Sequence, residues 1–228
     1  MTPDDLLSRV LYRDGLVLVI DKPAGLPVHA GPGGGANLED LFGALRYGLP
    51  RPPALAHRLD RDTSGCLVLG RHRKALSRLG RLFAAGNVEK TYWAVVAGRP
   101  EAESGRVEAP LLKVSRKGGG WRVVVDPAGQ RAVTDWRLRG VGDGLAWLEL
   151  RPRTGRTHQV RVHCATLGCS ILGDPAYGGG AAQAAVPLHL HARAITVPLN
   201  PNGPPISVCA PVPAHMRAAL RLCGFTDD

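Results

Sequence analysis

The sequence predicts an α+β fold with a mainly antiparallel sheet. Five stretches with strand patterns follow one another between residues 89 and 151, with glycine-rich turns between them. Helical spacing of apolar residues occurs only at intervals, so the strict alternation of a parallel βαβ fold is not seen. Strands that follow one another directly favour antiparallel pairing, with a few helices packed against the sheet.

The N-terminal part of the chain is predicted to contain a hairpin, two helices and a buried strand. Arg13-Asp14-Gly15 is a turn signal between two apolar runs, and Asn37 is a favoured helix N-cap. Leu76, Leu79 and Leu82 recur at helical spacing and therefore share one helix face. The predicted elements are strands at 10–12 and 16–20, a helix from Asn37 to about Tyr47, a strand at 66–70 and a helix at 73–85.

The remainder of the chain is predicted to be mostly strands. Residues 188–195 alternate between apolar and polar side chains, as half-buried strands do. Thr157 is a favoured cap, so we expect a short helix from Thr157 to Gly168. Glycine clusters predict loops at 31–35, 118–120 and 178–180. Further strands are predicted near 89–97, 106–112, 121–126, 131–138 and 145–151, and a C-terminal helix at 213–222.

The composition is typical of a folded protein with a polyanionic partner. Its 228 residues are 44% hydrophobic, which disfavours disorder and suits one domain over 1–228 with a core at about 10–212. Lys and Arg number 29 against 19 acidic residues, a formal net charge of +10. An arginine-rich codon bias is one explanation, but nucleic acid is the commonest partner for such an excess.

We expect the protein to be cytoplasmic, with no membrane segment. No apolar run reaches the roughly 18–20 residues of a membrane span, and the opening MTPDDLLSRV is unlike a signal peptide. The five cysteines are odd in number and irregular in spacing, which argues against a disulfide framework. Packing is the default role for Cys164 and Cys169.

Several kinds of site are disfavoured by their own sequence requirements. The glycines at 31–36 do not directly follow a strand, so a dinucleotide fingerprint is not expected, and a P-loop motif is lacking. No C-x-x-C pair or H-E-x-x-H motif is present, so we expect no metal. Ser64 lacks the G-x-S-x-G elbow of a serine hydrolase.

Three polar segments remain, at 57–65 (HRLDRDTSG), 90–94 (KTYWA) and 154–163 (TGRTHQVRVH). A carboxylate acts as a nucleophile only when ionised, and a nearby arginine keeps it so. An aromatic side chain beside it can stack on a nucleobase drawn out of a helix. The alternative for the first segment is that Asp60 only pairs with Arg58 or Arg61 in a structural turn.

Together these segments resemble the RluA-type RNA pseudouridine synthases. HRLDRDTSG matches the family's H-R-L-D-x-x-T-S-G, EKTYWAVVAG its K-x-Y-x-A strand, and TGRTHQVRVH its G-R-T-H-Q-[IV]-R-x-H. GCSILGDPAYGG matches P-I-x-G-D-x-x-Y-G, with Ser170 in place of the proline, and VLVIDKPAGLPVH and LHLHA also fit. The resemblance runs from about Val10 to Val212. These motifs begin so early that an S4-type RNA-binding domain is not expected.

The resemblance implies a mechanism and a fold. Asp60 would be the nucleophile, attacking either the uracil ring or the ribose C1′ of a flipped uridine. Arg161 would pair with Asp60, Tyr92 would stack on the base, and Arg58 would help hold the nucleotide out. No cofactor or metal is required. The implied fold is a long, bent, mainly antiparallel mixed sheet with flanking helices and a central active-site cleft, forming a single catalytic domain.

The partner implied is structured rRNA or tRNA, with a loop uridine as target and the protein as a monomer. The other polar residues of the three segments are expected to contact RNA: His57, Arg58, Arg61, Thr63, Lys90, Arg156, His158 and Gln159. Two rivals remain open at this point. One is a non-catalytic RNA-binding or RNA-folding protein on the same scaffold, and the other is a hydrolase that uses Asp60 and His57.

Overall fold

The computed structural model describes residues 1–31, 34–115, 120–178 and 186–226, and within them the fold is built mainly from strands. The α-helices are α1 (Pro3–Leu7), α2 (Arg73–Ala84), α3 (Gln159–Thr166) and α4 (Ala214–Leu222), with a 3-10 helix at Glu39–Arg46. The strands are β1 (Val10–Arg13), β2 (Val17–Lys22), β3 (Ala54–Leu55), β4 (Ser64–Gly70), β5 (Glu89–Ala97), β6 (Ser104–Glu108), β7 (Leu111–Ser115), β8 (Trp121–Val125), β9 (Val133–Gly142), β10 (Leu145–Pro152), β11 (Leu190–Val197) and β12 (Ile206–Cys209).

The chain divides into two compact units, each made of two stretches of sequence. The first unit comprises Met1–Lys90 and Ala192–Pro211, and the second comprises Thr91–His191 and Val212–Asp228. The strands β5 and β11 therefore each contribute residues to both units.

In the first unit the strand order is β1-β2-β4-β11, with β3 beside β4 and β12 beside β11. β2 and β4 are antiparallel, from Val17 opposite Gly70 to Lys22 opposite Gly65. All seven residues of β4 are buried, because the strand lies inside the sheet and is covered. Helix α2 contributes Leu79 to the core that Val19 and Val68 help to form.

In the second unit the strand order is β5-β10-β9-β6, and β7 and β8 form a separate two-stranded sheet. β10 is antiparallel to both β5 and β9. Core residues from α3 share one cluster with Ala94 of β5, whereas Val95 belongs to a second cluster with α4. Because adjacent strand residues point to opposite faces, α3 and α4 pack on opposite faces of this sheet.

The α+β fold with a large mixed sheet is confirmed, and the corrections concern boundaries. The strand predicted at 106–112 is two strands, β6 and β7, separated at Ala109 and Pro110, since proline lacks the N–H that a ladder requires. Asn37 does not cap a helix; its side chain donates to Asp40 Oδ2 at 2.7 Å, and a 3-10 helix starts at Glu39. Helix α1 and strands β3 and β12 were not predicted.

The predicted glycine-rich loops are only partly described, since residues 32–33, 118–119 and 179–180 lie outside the described ranges. Among the described helices, none has the length and hydrophobicity that crossing a membrane would require.

Gly65, at the start of β4, is expected to tolerate a side chain poorly. Its φ is +106°, and an added Cβ would lie within 2.9 Å of the Ala192 backbone nitrogen and 2.8 Å of its carbonyl carbon. We predict that Gly65→Ala lowers the free energy of unfolding by about 3 kcal/mol or more, measured by urea denaturation, because strain and overlap add.

Gly25 provides the matched control, since its φ is +84° and an added Cβ there would meet no atom within 4 Å. Gly25→Ala should therefore cost only the backbone strain, about 1–2 kcal/mol. Equal losses in the two variants would show that the close approach to Ala192 contributes nothing.

Candidate active site

The segment that carries Asp60 is a loop between β3 and β4 of the first unit, fastened through its backbone. The Asp60 carbonyl accepts a hydrogen bond from the Thr63 N–H at 3.2 Å, which closes a turn. The neighbouring Arg61 carbonyl accepts from the Gly25 N–H at 3.0 Å and from Lys22 Nζ at 2.8 Å. Thr63 is 2% exposed, whereas Asp60 is half-buried, so the loop presents Asp60 from a fixed base.

Lys22 is the buried cation that ties this loop to the end of β2. Its side chain is 0% exposed, and Nζ donates to the carbonyls of Pro23, Leu26 and Arg61 at 2.7, 2.8 and 2.8 Å. Burial lowers the Lys22 pKa to about 8, although the charges of Asp62 and Asp60 oppose that shift. Lys22 is therefore mainly protonated at neutral pH, and its three acceptors replace the water that it has lost.

The arginines of the loop are exposed. Arg61 donates to Asp62, with Nε 3.0 Å from Oδ1 and Nη2 3.2 Å from Oδ2. Because the guanidinium of Arg61 binds Asp62, the alternative in which Asp60 only pairs with Arg61 in a structural turn is disfavoured. Arg58 is exposed, as a residue that contacts RNA needs to be.

His57 is held within the first unit as a structural residue. Its Nε2 accepts from the Val68 N–H at 3.0 Å, and its ring stacks on Phe83 with centroids 4.6 Å apart. Burial lowers the His57 pKa to about 3, helped by the charge of Lys90. Because Nε2 is occupied and the ring resists protonation, a hydrolase using His57 as general base is disfavoured. Burial also lowers the Lys90 pKa, to about 8.

In the second unit, the two aromatic residues of β5 point to opposite faces of the sheet. Tyr92 lies opposite Leu150 of β10 and packs on the cluster that contains Val160 and Cys164 of α3. Trp93 instead makes an edge contact with Trp147, with ring centroids 4.6 Å apart. Only Tyr92 is therefore on the side of the sheet where α3 lies.

Helix α3 is anchored to β9 by polar residues of the segment 154–163. Gln159 Nε2 donates to the Val133 carbonyl at 2.9 Å and to Thr134 Oγ1 at 3.0 Å. Its Oε1 accepts from Thr154 Oγ1 at 2.6 Å and from the Arg156 N–H at 3.0 Å. Gln159 is 3% exposed and its amide is saturated, so the predicted RNA contact is replaced by a structural role.

Arg161 forms a buried, bidentate ion pair with Asp174. Nε lies 2.8 Å from Oδ2 and Nη2 lies 2.7 Å from Oδ1, and the two side chains are 6% and 0% exposed. Asp174 also accepts from the N–H groups of Ala176 and Tyr177 at 2.9 and 3.1 Å. Burial favours the protonated acid, but Arg161 and these donors outweigh it and lower the Asp174 pKa. The planar fork of Arg161 is thus directed at Asp174.

The helix begins later than predicted because His158 adopts the left-handed conformation, with φ at 54°, immediately before α3. Its Nδ1 lies 2.9 Å from the Tyr177 hydroxyl, which also accepts from the Val123 N–H at 3.2 Å. The Arg161 guanidinium carbon lies 5.2 Å from the centroid of the Tyr177 ring. Arg156, also predicted to contact RNA, is exposed.

Sequence reasoning missed Lys22, Asp174 and Tyr177. Lys22 lies in the segment DKPAG, and Asp174 and Tyr177 lie in GDPAYG. Neither segment contains a nucleophile next to a base, and neither has the spacing of a metal site. Their burial was the missing information. Among the residues that the structure describes, no group of three or more metal-ligating side chains is found.

Comparisons with known proteins agree with this chemistry. The sequence model of the RNA pseudouridylate synthase family matches residues 16–166. An uncharacterized RNA pseudouridine synthase of Zymomonas mobilis is 45% identical over 209 residues, which cover 91% of this chain and 95% of the relative. The chain belongs to the RluA-type RNA pseudouridine synthases.

Other relatives of the enzyme extend the likeness. The ribosomal large subunit pseudouridine synthase D of Xanthomonas campestris is 39% identical over 96% of this chain and 70% of its own. The solved structure of human RNA pseudouridylate synthase domain containing 4 superimposes with a TM-score of 0.81 at 29% identity, covering 96% of this chain and 95% of the human one. Members of this family isomerise uridine in RNA, and this enzyme does the same. A binding-only protein is not favoured.

The buried Lys22 predicts a pH-dependent effect on stability. Lys22→Met removes the donor shared by three carbonyls and should lower the free energy of unfolding by about 2–5 kcal/mol at pH 7. In the wild type the folded pKa of about 8 lies below the ordinary 10.5, so unfolding takes up protons between these values. Wild-type stability relative to the variant should therefore rise as the pH increases from 8 to 10.5.

Urea unfolding at pH 7 and pH 10 measures that difference. Lys74→Met, the same change on the exposed side of α2, should alter stability by no more than about 0.5 kcal/mol. If the difference in free energy of unfolding between wild type and Lys22→Met became smaller at high pH, the three carbonyls would hold the Lys22 proton more firmly than water does.

Removal of the Asp174 charge tests whether Asp174 holds Arg161 in place. Asp174→Asn removes the carboxylate charge that binds the fork of a buried guanidinium, so the free energy of unfolding should fall by about 3 kcal/mol, and activity should fall below one tenth. Asp135→Asn is the matched control, because Asp135 bonds Arg106 and Arg153 at the surface. It should cost less than about 1 kcal/mol. Thermal melts and turnover rates are measured for both variants. Equal losses in Asp174→Asn and Asp135→Asn would contradict the prediction.

Proposed function

We propose that the enzyme converts a loop uridine of ribosomal or transfer RNA to pseudouridine, with Asp60 as the nucleophile. The observation that carries this proposal is the fastened loop: Asp60 is half-buried beside an Arg61 carbonyl held by both Gly25 and Lys22. A nucleophile held in this way needs little reorganisation before it attacks. The match of HRLDRDTSG to the family's motif supports the same assignment.

The proposed reaction is an isomerisation in which atoms balance without a co-reactant. The Asp60 carboxylate attacks the uracil ring or the ribose C1′, and the bond between C1′ and N1 breaks. The uracil then rotates, a bond forms between C5 and C1′, and the carboxylate is released. The proton lost from C5 is balanced by the proton gained at N1. We expect no cofactor or metal to take part.

Tyr92 and Arg161 are proposed to act in the same reaction from the second unit. Tyr92 is half-buried on the face of the sheet that carries α3, which suits an aromatic residue that stacks on an extruded base. Arg161 is rigid, since Asp174 binds its fork and Tyr177 lies against its face. The pairing of Arg161 with Asp60 stays a prediction of the family resemblance.

The basic charge and the relatives support the proposed substrate. Extraction of a base costs a few kcal/mol and least where the RNA is already unpaired, so a loop uridine is favoured. A formal charge of +10 suits phosphate contacts whose strength falls with salt. Ribosomal RNA is the first candidate, because relatives such as the Xanthomonas campestris protein are named for the large ribosomal subunit. Arg58, Arg61 and Arg156 are exposed and suited to phosphate contacts.

We further propose that the two units together make one catalytic domain, acting as a cytoplasmic monomer. The family match over residues 16–166 begins in the first unit and continues into the second, which supports one domain. All five cysteines are free thiols, as a reducing compartment requires.

Asp60→Asn is the decisive variant. Formation of the C5 bond releases the C5 hydrogen, so RNA labelled with tritium at uridine C5 reports turnover as tritium in water. Wild type should release tritium from ribosomal or transfer RNA, whereas Asp60→Asn should be slower by at least about 10³-fold with RNA affinity within a few-fold.

Asp62→Asn, two residues along the same loop, should retain near-normal turnover, because its carboxylate is paired with Arg61. Near-normal tritium release by Asp60→Asn would remove Asp60 from the role of nucleophile. Release from transfer RNA alone would exclude a ribosomal substrate.

A further inference from the structure

The hairpin of β7 and β8 carries the most exposed tryptophan among the described residues. Trp121 is 42% exposed, whereas Trp136 and Trp147 are each 7% exposed. The hairpin is fixed at its base, because Leu111 and Val123 are buried in a cluster with Val162 and Tyr177. Trp121 is therefore an aromatic side chain presented to solvent on a fixed support.

The ring of Trp121 contacts a histidine and a lysine of the same unit. Its centroid is 4.9 Å from that of His158, with the two ring planes inclined by 37°. Lys113 Nζ lies 4.3 Å from the Trp121 ring centroid. Since Ser115 pairs with Trp121, Lys113 and Trp121 stand diagonally on one face of the hairpin.

This aromatic site is close to the helix that carries Arg161. His158 directly precedes α3, so Arg161 follows it by three residues, about 4.5 Å of helical rise. Tyr177 joins the two, with its hydroxyl 2.9 Å from His158 Nδ1 and its ring 5.2 Å from the Arg161 guanidinium carbon. Trp121 is therefore connected to Arg161 through the rings of His158 and Tyr177.

We propose that Trp121, supported by His158 and flanked by Lys113, is a stacking site for an unpaired nucleobase that neighbours the target uridine. This inference rests on the proposed function, because the target is defined by the reaction. The site takes a single-stranded nucleotide, since only an unpaired base exposes a face to the ring.

Lys113 gives the site its charge complementarity to RNA. Its ammonium is exposed, and an exposed contact between a cation and a ring is weaker than the stacking of a base on tryptophan. An incoming base therefore displaces Lys113 from the ring, and the released ammonium meets the adjacent phosphate. Arg122 is exposed, and its guanidinium carbon lies 5.2 Å from the centroid of the Tyr177 ring, so it adds a second cation beside His158 and Tyr177.

Base stacking on tryptophan is tolerant of sequence, because every base has an aromatic face. The site therefore contributes affinity and orients the strand, while the identity of the stacked base is left open. Loss of the ring should raise the Kd and KM for RNA together and leave kcat within about three-fold.

The test is a titration of the enzyme with a hairpin RNA that contains the target uridine in its loop. Binding is monitored through the quenching of tryptophan fluorescence. Trp121→Ala should weaken RNA binding about ten-fold and abolish most of the quenching seen with wild type. Trp121→Tyr, which keeps a stacking ring, should retain binding within about three-fold. Val141→Ala, a change at another exposed apolar residue of the same unit, should bind as wild type.

Lys113→Gln separates a binding role from a structural one. It should reduce the salt dependence of log Kd by about one phosphate contact, and the melting temperature should stay within about 2 °C of wild type, because Lys113 is at the surface. Wild-type affinity and quenching in Trp121→Ala would overturn the proposal, as would equal weakening by Trp121→Ala and Trp121→Tyr.

Repetition of the titration with Asp60→Asn distinguishes this inference from the proposed mechanism. If Asp60→Asn turns over normally but Trp121 still controls binding, only the role of Asp60 fails. If Asp60→Asn is inactive and Trp121→Ala binds normally, only the stacking site fails.

Discussion

The burial of positive charge is the constraint on which the candidate active site depends. Lys22 and Arg161 are both almost completely buried, and a buried cation must find acceptors that replace its hydration. Lys22 finds three carbonyls, one of them in the loop of Asp60, and Arg161 finds the two oxygens of Asp174. Each cation thereby fixes a neighbouring segment that would otherwise be free to move. Rigidity at the site is a consequence of satisfying these charges.

Much of the fold could be predicted from the sequence because it follows from local patterns. Strand patterns of apolar and polar side chains predicted β5, β9, β10 and β11, and the helical spacing of apolar residues predicted α2. Two of the failures involve contacts that are distant in sequence. The left-handed His158 is held by Tyr177, and Pro110 separates two strands whose partners, β8 and β9, lie further along the chain.

The site shows the same division. Residue chemistry singled out three polar segments, and the resemblance of these segments to the family's motifs selected Asp60, Tyr92 and Arg161 as candidates. The sequence could not show which polar residues face inward. Gln159 was predicted to contact RNA, yet it is buried at the start of α3 with its amide saturated, whereas Trp121, an aromatic residue in a predicted strand, is exposed. Inward or outward placement is a property of packing, and composition does not determine it.

The order in which the strands of the first unit are synthesised has a consequence for folding in the cell. β4 is wholly buried beside β11, yet β11 begins roughly 120 residues after β4 ends. At about 5–20 residues per second, the ribosome exposes the apolar edge of β4 for roughly 6–24 s before its neighbour emerges. During that interval the nascent chain presents an unpaired, hydrophobic strand to other nascent chains. Production of this enzyme should therefore depend on chaperones that shield nascent strands and on the rate at which residues 71–190 are translated.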